Sequence, residues 1–318
     1  MLWGERLDRM KIQMNRAPPI NAASDNTRPP RAVFDRLLAD LRPKLHRYCA
    51  RMTGSVIDGE DVVQDALVKA LEAYDRAGPT ANAEGWLFRI AHNAALDFLR
   101  RRARLAAIHS DEDTDMVPDP INSIDDRQIV TASLRNFMQL PVTQRSSVIL
   151  MDVLGYSLDD IRTVTGSNIA AIKTAVHRGR IRLRELARAG DEQPAPVLPE
   201  PERALLAAYV DRFNARDFDA IRDMLAEEVR LDLVSRKRTH GRSEVSHYFH
   251  RYGEAQGWHF VPGFVDRRPA ILVYNPDDPS GRLSYFILLE WAAGHVLSIR
   301  DFAHARYVID GADVRRLG

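Results

Sequence analysis

The sequence is poor in cysteine, in long apolar runs and in net charge, and each shortage excludes a class of protein. Cys49 is the single cysteine among 318 residues, which excludes a disulfide framework and any cysteine-based zinc site and fits a reducing cytoplasm. No run approaches the roughly 18 apolar residues that a membrane-spanning helix needs. The 45 basic and 44 acidic residues leave a formal net charge of +1, which on average argues against a nucleic-acid partner.

Charge is, however, unevenly distributed along the chain. The stretch 89–104 holds five arginines against one aspartate, and 173–188 holds six basic residues against one glutamate. Between them, residues 110–126 contain seven acidic side chains and no basic one. Two basic helical segments separated by an acidic tether favour a nucleic-acid partner that the whole-chain total conceals.

Proline-rich and acidic segments divide the chain into three domains, two all-helical and one α+β. We expect six segments: a disordered tail 1–30, a helical domain 31–108, an acidic linker 109–126, a helical domain 127–189, a proline-rich linker 190–202 and an α+β domain 203–318.

Residues 156–184 have the pattern of a helix-turn-helix. Ser157 and Asp160 form a capping box that begins a short helix, and Gly166 supplies the turn to a second helix, which Ser167 can cap. Small, polar and basic residues on the second helix suit insertion into a major groove. The residues expected to face DNA are Ser167, Asn168, Ala171, Lys173, Thr174, His177 and Arg178. An ordinary helical hairpin with a basic surface is the alternative.

The segment LPVTQRSSVILMDVLGYSLDDIRTVTGSNIAAIKTAVHRGRIRLREL resembles region 4 of the sigma-70 family of transcription initiation factors. The resemblance implies binding to the −35 promoter element and to the flap of the RNA polymerase β subunit.

Two segments of the first helical domain carry a second resemblance. DGEDVVQDALVKAL (58–71) is an amphipathic helix, and WLFRIAHNAALDFLRRRAR (86–104) combines an apolar stripe with a face on which we expect Arg89, His92 and Asn93 to point outward. Both resemble region 2 of the extracytoplasmic-function (ECF) group of sigma factors. The resemblance assigns polymerase β′ contact to Asp61, Gln64 and Asp65. It assigns reading or opening of the −10 element to Trp86, Arg89, Asn93, Arg100, Arg101 and Arg102, although Trp86 suits a core position equally well.

The last 116 residues change from helices to alternating strand-like runs such as AILVY and LSYFILLEW. This order resembles the SnoaL-like, NTF2-like cone, a curved sheet wrapped by helices around a pocket. The resemblance implies a domain that tunes the factor in cis. Candidate pocket residues are Asp232, His259 and Asp301, and a ligand-sensing pocket, a scaffolding interface and a catalytic pocket all stay open.

The combined prediction is a cytoplasmic ECF sigma factor with a fused regulatory domain. It would bind core RNA polymerase and promoter DNA without a cofactor or metal, would not be an enzyme and would have no membrane partner; a small-molecule ligand or an intramolecular contact would occupy its C-terminal domain. The rival is a helix-turn-helix regulator that works without polymerase and is fused to a ligand-binding or catalytic NTF2-like domain. The segment 58–102 distinguishes them, because a plain regulator needs no second DNA-reading helix beside a polymerase-docking helix.

Overall fold

The computed structural model describes residues 30–76, 82–107, 132–189, 194–254 and 257–317. The predicted N-terminal tail up to residue 29, the acidic linker 109–126 and residues 190–193 of the proline-rich linker lie outside these ranges. Within them, no helix is both long and apolar enough to cross a membrane.

The first helical region consists of α1 (Arg31–Thr53), α2 (Val56–Arg76) and α3 (Ala83–Ala107). α1 and α2 pack closely where Gly59 meets Ala50: a Cβ on Gly59 would lie 2.6 Å from the Ala50 backbone, so this crossing requires glycine. The outward orientation predicted for His92 is wrong. Its ring is 6% exposed and its Nδ1 lies 2.7 Å from the Tyr48 hydroxyl, because it shares a helix face with the apolar stripe.

The second helical region contains α4 (Leu134–Met138), α5 (Val142–Val148), which continues as a π-helical turn (Ile149–Val153), α6 (Leu158–Thr165) and α7 (Ile169–Ala189). The capping box of Ser157 and Asp160 begins α6, and Gly166 ends it at a φ of 73°. Asn168, rather than Ser167, caps α7: its Oδ1 accepts from the Ala171 amide at 2.8 Å. α6 and α7 are therefore two helices joined by a tight turn at Gly166.

The two helical regions share one continuous apolar core that runs from Phe34 to Leu183. Arg145 joins them through polar contacts, because its guanidinium donates to the carbonyls of Met52, Met138 and Leu140 at 2.7–2.9 Å. Burial lowers the pKa of Arg145 to about 10.

The C-terminal region has the predicted α+β composition. Its helices are α8 (Glu200–Asn214), α9 (Phe218–Asp223) and α10 (Arg242–Glu254), and a 3₁₀ turn spans Arg306–Ile309. Its strands are β1 (Leu225–Leu233), β2 (Lys237–His240), β3 (His259–Val265), β4 (Arg268–Tyr274), β5 (Leu283–Ala292), β6 (His295–Asp301) and β7 (Val314–Arg316). They form one sheet in the order β2-β1-β6-β5-β4-β3-β7, in which β1 and β6 are parallel and the other pairs antiparallel.

The two faces of this sheet pack against different partners. Strand alternation directs Leu231, Ile299 and Tyr285 to the inner face, where they form a core with α8 and α10. The outer face contributes Leu272 and Phe286 to a separate core that also contains Val56 of α2. The outer face of the C-terminal sheet is therefore in contact with the helical region.

Candidate functional site

The surface of α2 that the sequence assigns to polymerase is contacted by arginines of the C-terminal sheet. Arg300 on β6 donates to Asp61 Oδ1 at 2.7 Å, and Arg238 on β2 donates to Gln64 Oε1 at 2.8 Å. Asp65 lies beyond the sheet, exposed, with Arg101 of α3 3.7 Å away. Two of the three predicted polymerase contacts are thus engaged within the chain itself.

Deeper contacts lie along the same helix. Arg268 at the start of β4 donates to the carboxylate of Asp58, whose side chain is 13% exposed. The Tyr307 hydroxyl donates to Glu60 Oε2 at 3.0 Å and accepts from Arg42 Nε at 2.7 Å. Burial raises the pKa of Glu60, and it also raises the pKa of Asp61 beside Arg300. The Glu60 side chain is fully buried, whereas that of Asp61 is still 45% exposed.

The C-terminal region also supplies the cap of α2. The Val56 amide at its first turn donates to Asp266 Oδ2 at 2.6 Å. Asp266 lies in the turn between β3 and β4 at a φ of 47°, and its other oxygen accepts from the Asp313 amide at 3.1 Å. A carboxylate at a helix N-terminus satisfies a free amide and complements the helix dipole. The N-terminus of α2 is therefore completed by a residue more than 200 positions away.

Apolar packing surrounds these polar contacts. Ala50, Val56, Ile57 and Leu134 of the helical regions are each at most 5% exposed. They pack in one cluster with nine buried residues of the C-terminal region: Val234, Val265, Ala270, Leu272, Phe286, Leu288, Phe302, Ala305 and Val308. Burial of this kind supplies most of the stabilisation in an interface, while the charged pairs set its register.

The residues predicted to read the −10 element lie on α3. Arg89, Asn93 and the three consecutive arginines are exposed, whereas Trp86 is half-buried with its ring 6.1 Å from that of Phe34. Arg100 pairs with Asp97 at 3.1 Å, and Arg102 donates to the Thr53 carbonyl at 3.2 Å. Trp86 thus belongs to the edge of the core, and the remaining residues form a basic surface.

The residues predicted to read the −35 element lie together on α7 and the turn before it. Ser167 is half-buried, and the other six (Asn168, Ala171, Lys173, Thr174, His177 and Arg178) are exposed. On the opposite side, Ile172 and Val176 are buried in the helical core. The surface of α7 that is predicted to bind DNA is therefore exposed to solvent.

The three pocket candidates of the C-terminal region are not brought together. Asp232 and Asp301 point to opposite faces, because Asp232 pairs in register with Arg300, the residue next to Asp301. His259 is exposed at the start of β3. Asp301 is 1% exposed on the inner face and accepts from the hydroxyls of Tyr248 and Tyr252 at 2.9 and 2.8 Å. Burial raises its pKa.

Sequence reasoning missed Asp58, Glu60 and every partner of α2. A signal was present on β6, where the apolar Ile299 is followed by Arg300. Adjacent strand residues point to opposite faces, so Arg300 marks a charged face opposite to that of Ile299. The identity of the partner surface was not contained in that signal.

The chain is similar to several known proteins. The model of sigma-70 region 2 matches residues 37–105. The ECF RNA polymerase sigma factor SigG of Mycobacterium tuberculosis is 29% identical over 213 residues, which cover 59% of this chain and 57% of SigG. SigM of the same species is 33% identical over 156 residues, which cover 49% of this chain and 78% of SigM. The crystal structure of the M. tuberculosis ECF sigma factor SigJ aligns with 87% of this chain and 98% of SigJ, at 18% identity and a TM-score of 0.33.

The chain belongs to the ECF RNA polymerase sigma factors. The membership predicted from the region 2 segments is confirmed. The chain spans 57% of the length of SigG, so its own partners and activity are matters of proposal.

Proposed function

We propose that this chain directs core RNA polymerase to promoters and that its C-terminal domain inhibits it in cis by covering α2. In this proposal Asp61, Gln64 and Asp65 bind the β′ subunit, the basic surface of α3 binds the −10 element, and α7 binds the −35 element. The chain supplies recognition and promoter opening, and RNA synthesis belongs to the polymerase.

The contact of Arg300 and Arg238 with Asp61 and Gln64 carries the proposal. Two of the three side chains assigned to polymerase are bound by the sheet, so polymerase and the C-terminal domain compete for one surface. The competition is a population shift: the affinity for polymerase falls in proportion to the fraction of molecules with α2 free. If about 1% of molecules are open, apparent affinity falls about a hundredfold.

The energetic cost of opening comes from two sources. Asp58 and Glu60 regain water but lose Arg268 and Tyr307, and the apolar cluster around Val56 is exposed. Reversing a charge within the contact leaves like charges facing each other in a half-buried site, which costs several kcal/mol.

The test is transcription in vitro with core polymerase and the double variant Arg268→Glu, Arg300→Glu. Both new carboxylates face acidic residues of α2 and destabilise the docked state. We therefore expect the variant to bind core polymerase at least about tenfold more tightly than the wild type, which corresponds to about 1.4 kcal/mol. Transcription from a cognate promoter should rise in parallel.

Arg282→Glu is the matched control, because Arg282 is an exposed arginine of the same domain away from α2. It should leave polymerase affinity unchanged. Equal affinity of the double variant and the wild type would contradict inhibition in cis, and failure of both to bind core polymerase would contradict the function as a whole.

The DNA-binding part has its own test in Arg178→Ala, which removes an exposed cation from α7. We expect a loss of about 1–3 kcal/mol in binding of polymerase complexes to a −35 element if Arg178 contacts a base, and a uniform loss across sequences if it contacts phosphate. Mobility shifts on a cognate and a scrambled −35 element measure both outcomes. An unchanged affinity for every sequence would remove Arg178 from the interface.

A further inference from the structure

A cavity of about 460 Å³ lies beside the contact between the sheet and α2. Asp61 of α2 lines one side, and the outer faces of β1, β2, β5 and β6 line the rest. This volume is within the range of about 300–1,000 Å³ that small-molecule sites occupy. The cavity is therefore large enough for a metabolite and adjoins the residues that hold α2.

The strand register arranges the charged side chains of the cavity in two rows. One row contains Arg238, Asp232 and Arg300, since Asp232 is in register with both arginines. The neighbouring row contains His240, Arg230, Ser298 and Glu290, which are in register across β2, β1, β6 and β5.

The first row is already neutralised within the chain. Asp232 Oδ2 lies 3.4 Å from Arg238 Nε and 3.7 Å from Arg300 Nε. Gln64 and Asp61 of α2 accept from the terminal nitrogens of the same two arginines. The first row therefore holds the helix, although the buried Nε of Arg300 is left without a hydrogen-bond acceptor in the described part of the chain.

The arginine of the second row has no side-chain partner within the described ranges. The Arg230 side chain is exposed and forms no hydrogen bond or ion pair with any residue that the structure describes. Glu290 lies on β5, two strands away from Arg230, and no ion pair joins the two side chains among the described residues. The Nε of Arg300 is buried and has no acceptor within hydrogen-bond distance among the described residues. Donors thus outnumber acceptors at the β1–β6 side of the cavity.

We propose that this cavity binds a small carboxylate- or phosphate-bearing anion on Arg230 and that the bound anion loosens the contact between Arg300 and Asp61. Arginine forks bind both groups through paired, charge-assisted hydrogen bonds, and Ser298 and His240 lie on either side to add donors. The anion would lie close to the Asp61 carboxylate, which also lines the cavity, and would repel it. Binding therefore favours the state in which α2 is free.

Titration calorimetry of the full chain with sodium phosphate and, separately, sodium succinate tests the site. Ionic strength is held constant so that general screening does not contribute. We expect at least one of the two anions to bind, and Arg230→Gln to weaken that binding about tenfold or more, because a charge-assisted pair is lost. Arg282→Gln, which changes an arginine outside the cavity, should bind like the wild type. The stronger of the two titrations identifies the anion chemistry. Binding of neither anion, or equal binding by Arg230→Gln, would overturn the site.

The coupling to α2 rests on the proposed inhibition in cis and is tested without polymerase. Hydrogen exchange at the amides of residues 60–64 should become at least about threefold faster on saturation with the anion, since opening becomes more frequent. Arg230→Gln should abolish this acceleration while its exchange without anion equals that of the wild type, because Arg230 does not contact α2. An anion that binds without changing exchange would refute the coupling and leave the polymerase assay above unaffected.

Discussion

At the scale of single residues, burial shifts the pKa of titratable side chains that look unexceptional in the sequence. Asp301 is enclosed by the hydroxyls of Tyr248 and Tyr252 and by the Ala303 amide, and burial raises its pKa. His46 of α1 is buried between the Val56 carbonyl and the Tyr307 ring, and burial lowers its pKa to about 4. Such groups report on the folded state, because their protonation differs from that in the unfolded chain.

The pH dependence of stability should reveal Asp301. Because its pKa is raised on folding, the unfolded chain ionises first as the pH rises above about 4, and ionisation then favours unfolding. The contribution of Asp301 to the free energy of unfolding should therefore be greatest below its pKa in the unfolded chain. This contribution should fall as the pH rises towards the pKa of Asp301 in the folded protein. Asp301→Asn keeps a neutral acceptor, so its stability relative to the wild type should increase from pH 4 to pH 7 by about 1.4 kcal/mol for each unit of raised pKa.

Denaturant unfolding at the two pH values measures this difference. The matched comparison is Asp277→Asn, which changes an exposed carboxylate of the same domain. A constant difference between Asp301→Asn and the wild type across this range would show that Asp301 ionises freely in the folded protein.

At the scale of elements, α2 depends on residues outside its own segment. Helices normally satisfy their first amides with a nearby side chain, as Ser157 does for α6 and Asp217 does for α9. α2 instead uses Asp266 of the C-terminal sheet at Val56, in addition to the local Ser55 hydroxyl, which accepts from the Ile57 amide at 3.2 Å. The start of the helix is consequently sensitive to whether the domain is docked.

Asp266→Ala should therefore weaken the start of α2. Loss of a capping carboxylate costs about 0.5–2 kcal/mol, so hydrogen exchange at the amides of residues 56–58 should accelerate by up to about thirtyfold. Asp217→Ala removes a cap of similar chemistry from α9 and should leave these amides unchanged. Unchanged exchange in Asp266→Ala would show that Ser55 alone is a sufficient cap.

At the scale of the whole molecule, the docked state combines apolar burial with ion pairs, and the two respond differently to salt. Raising NaCl from about 0.1 to about 1 M shortens the screening length from about 10 to about 3 Å and weakens the exposed pairs. The cluster around Val56, Ile57 and Phe286 is insensitive to screening.

We accordingly expect the wild type to stay docked at high salt. The radius of gyration of the wild type, measured by small-angle X-ray scattering, should be the same at both salt concentrations. The double variant Arg268→Glu, Arg300→Glu should have a larger radius of gyration than the wild type at low salt. Expansion of the wild type at 1 M NaCl would mean that ion pairs alone hold the domain.

Some parts of the structure could be predicted from the sequence alone and others could not. Local signals sufficed for the start and end of α6, because Ser157, Asp160 and Gly166 act on neighbours within a few residues. They also sufficed for the alternating strands and for the family motifs. They failed for His92, since an imidazole on a basic face and one paired with Tyr48 have the same local pattern, and they failed to separate the faces of Asp232 and Asp301.

The sequence by itself determined the helices, the strands and the membership of the ECF sigma factors, because periodicity, capping and motifs are properties of short segments. Only the tertiary structure decided that Arg300 lies on Asp61, across 239 residues, and that Asp266 caps Val56, across 210. Contacts of this kind depend on the face to which each strand residue points and on the docking of one apolar surface on another. The near-neutral net charge of the chain includes charges that neutralise each other directly, since the arginines of the sheet pair with the acidic face of α2.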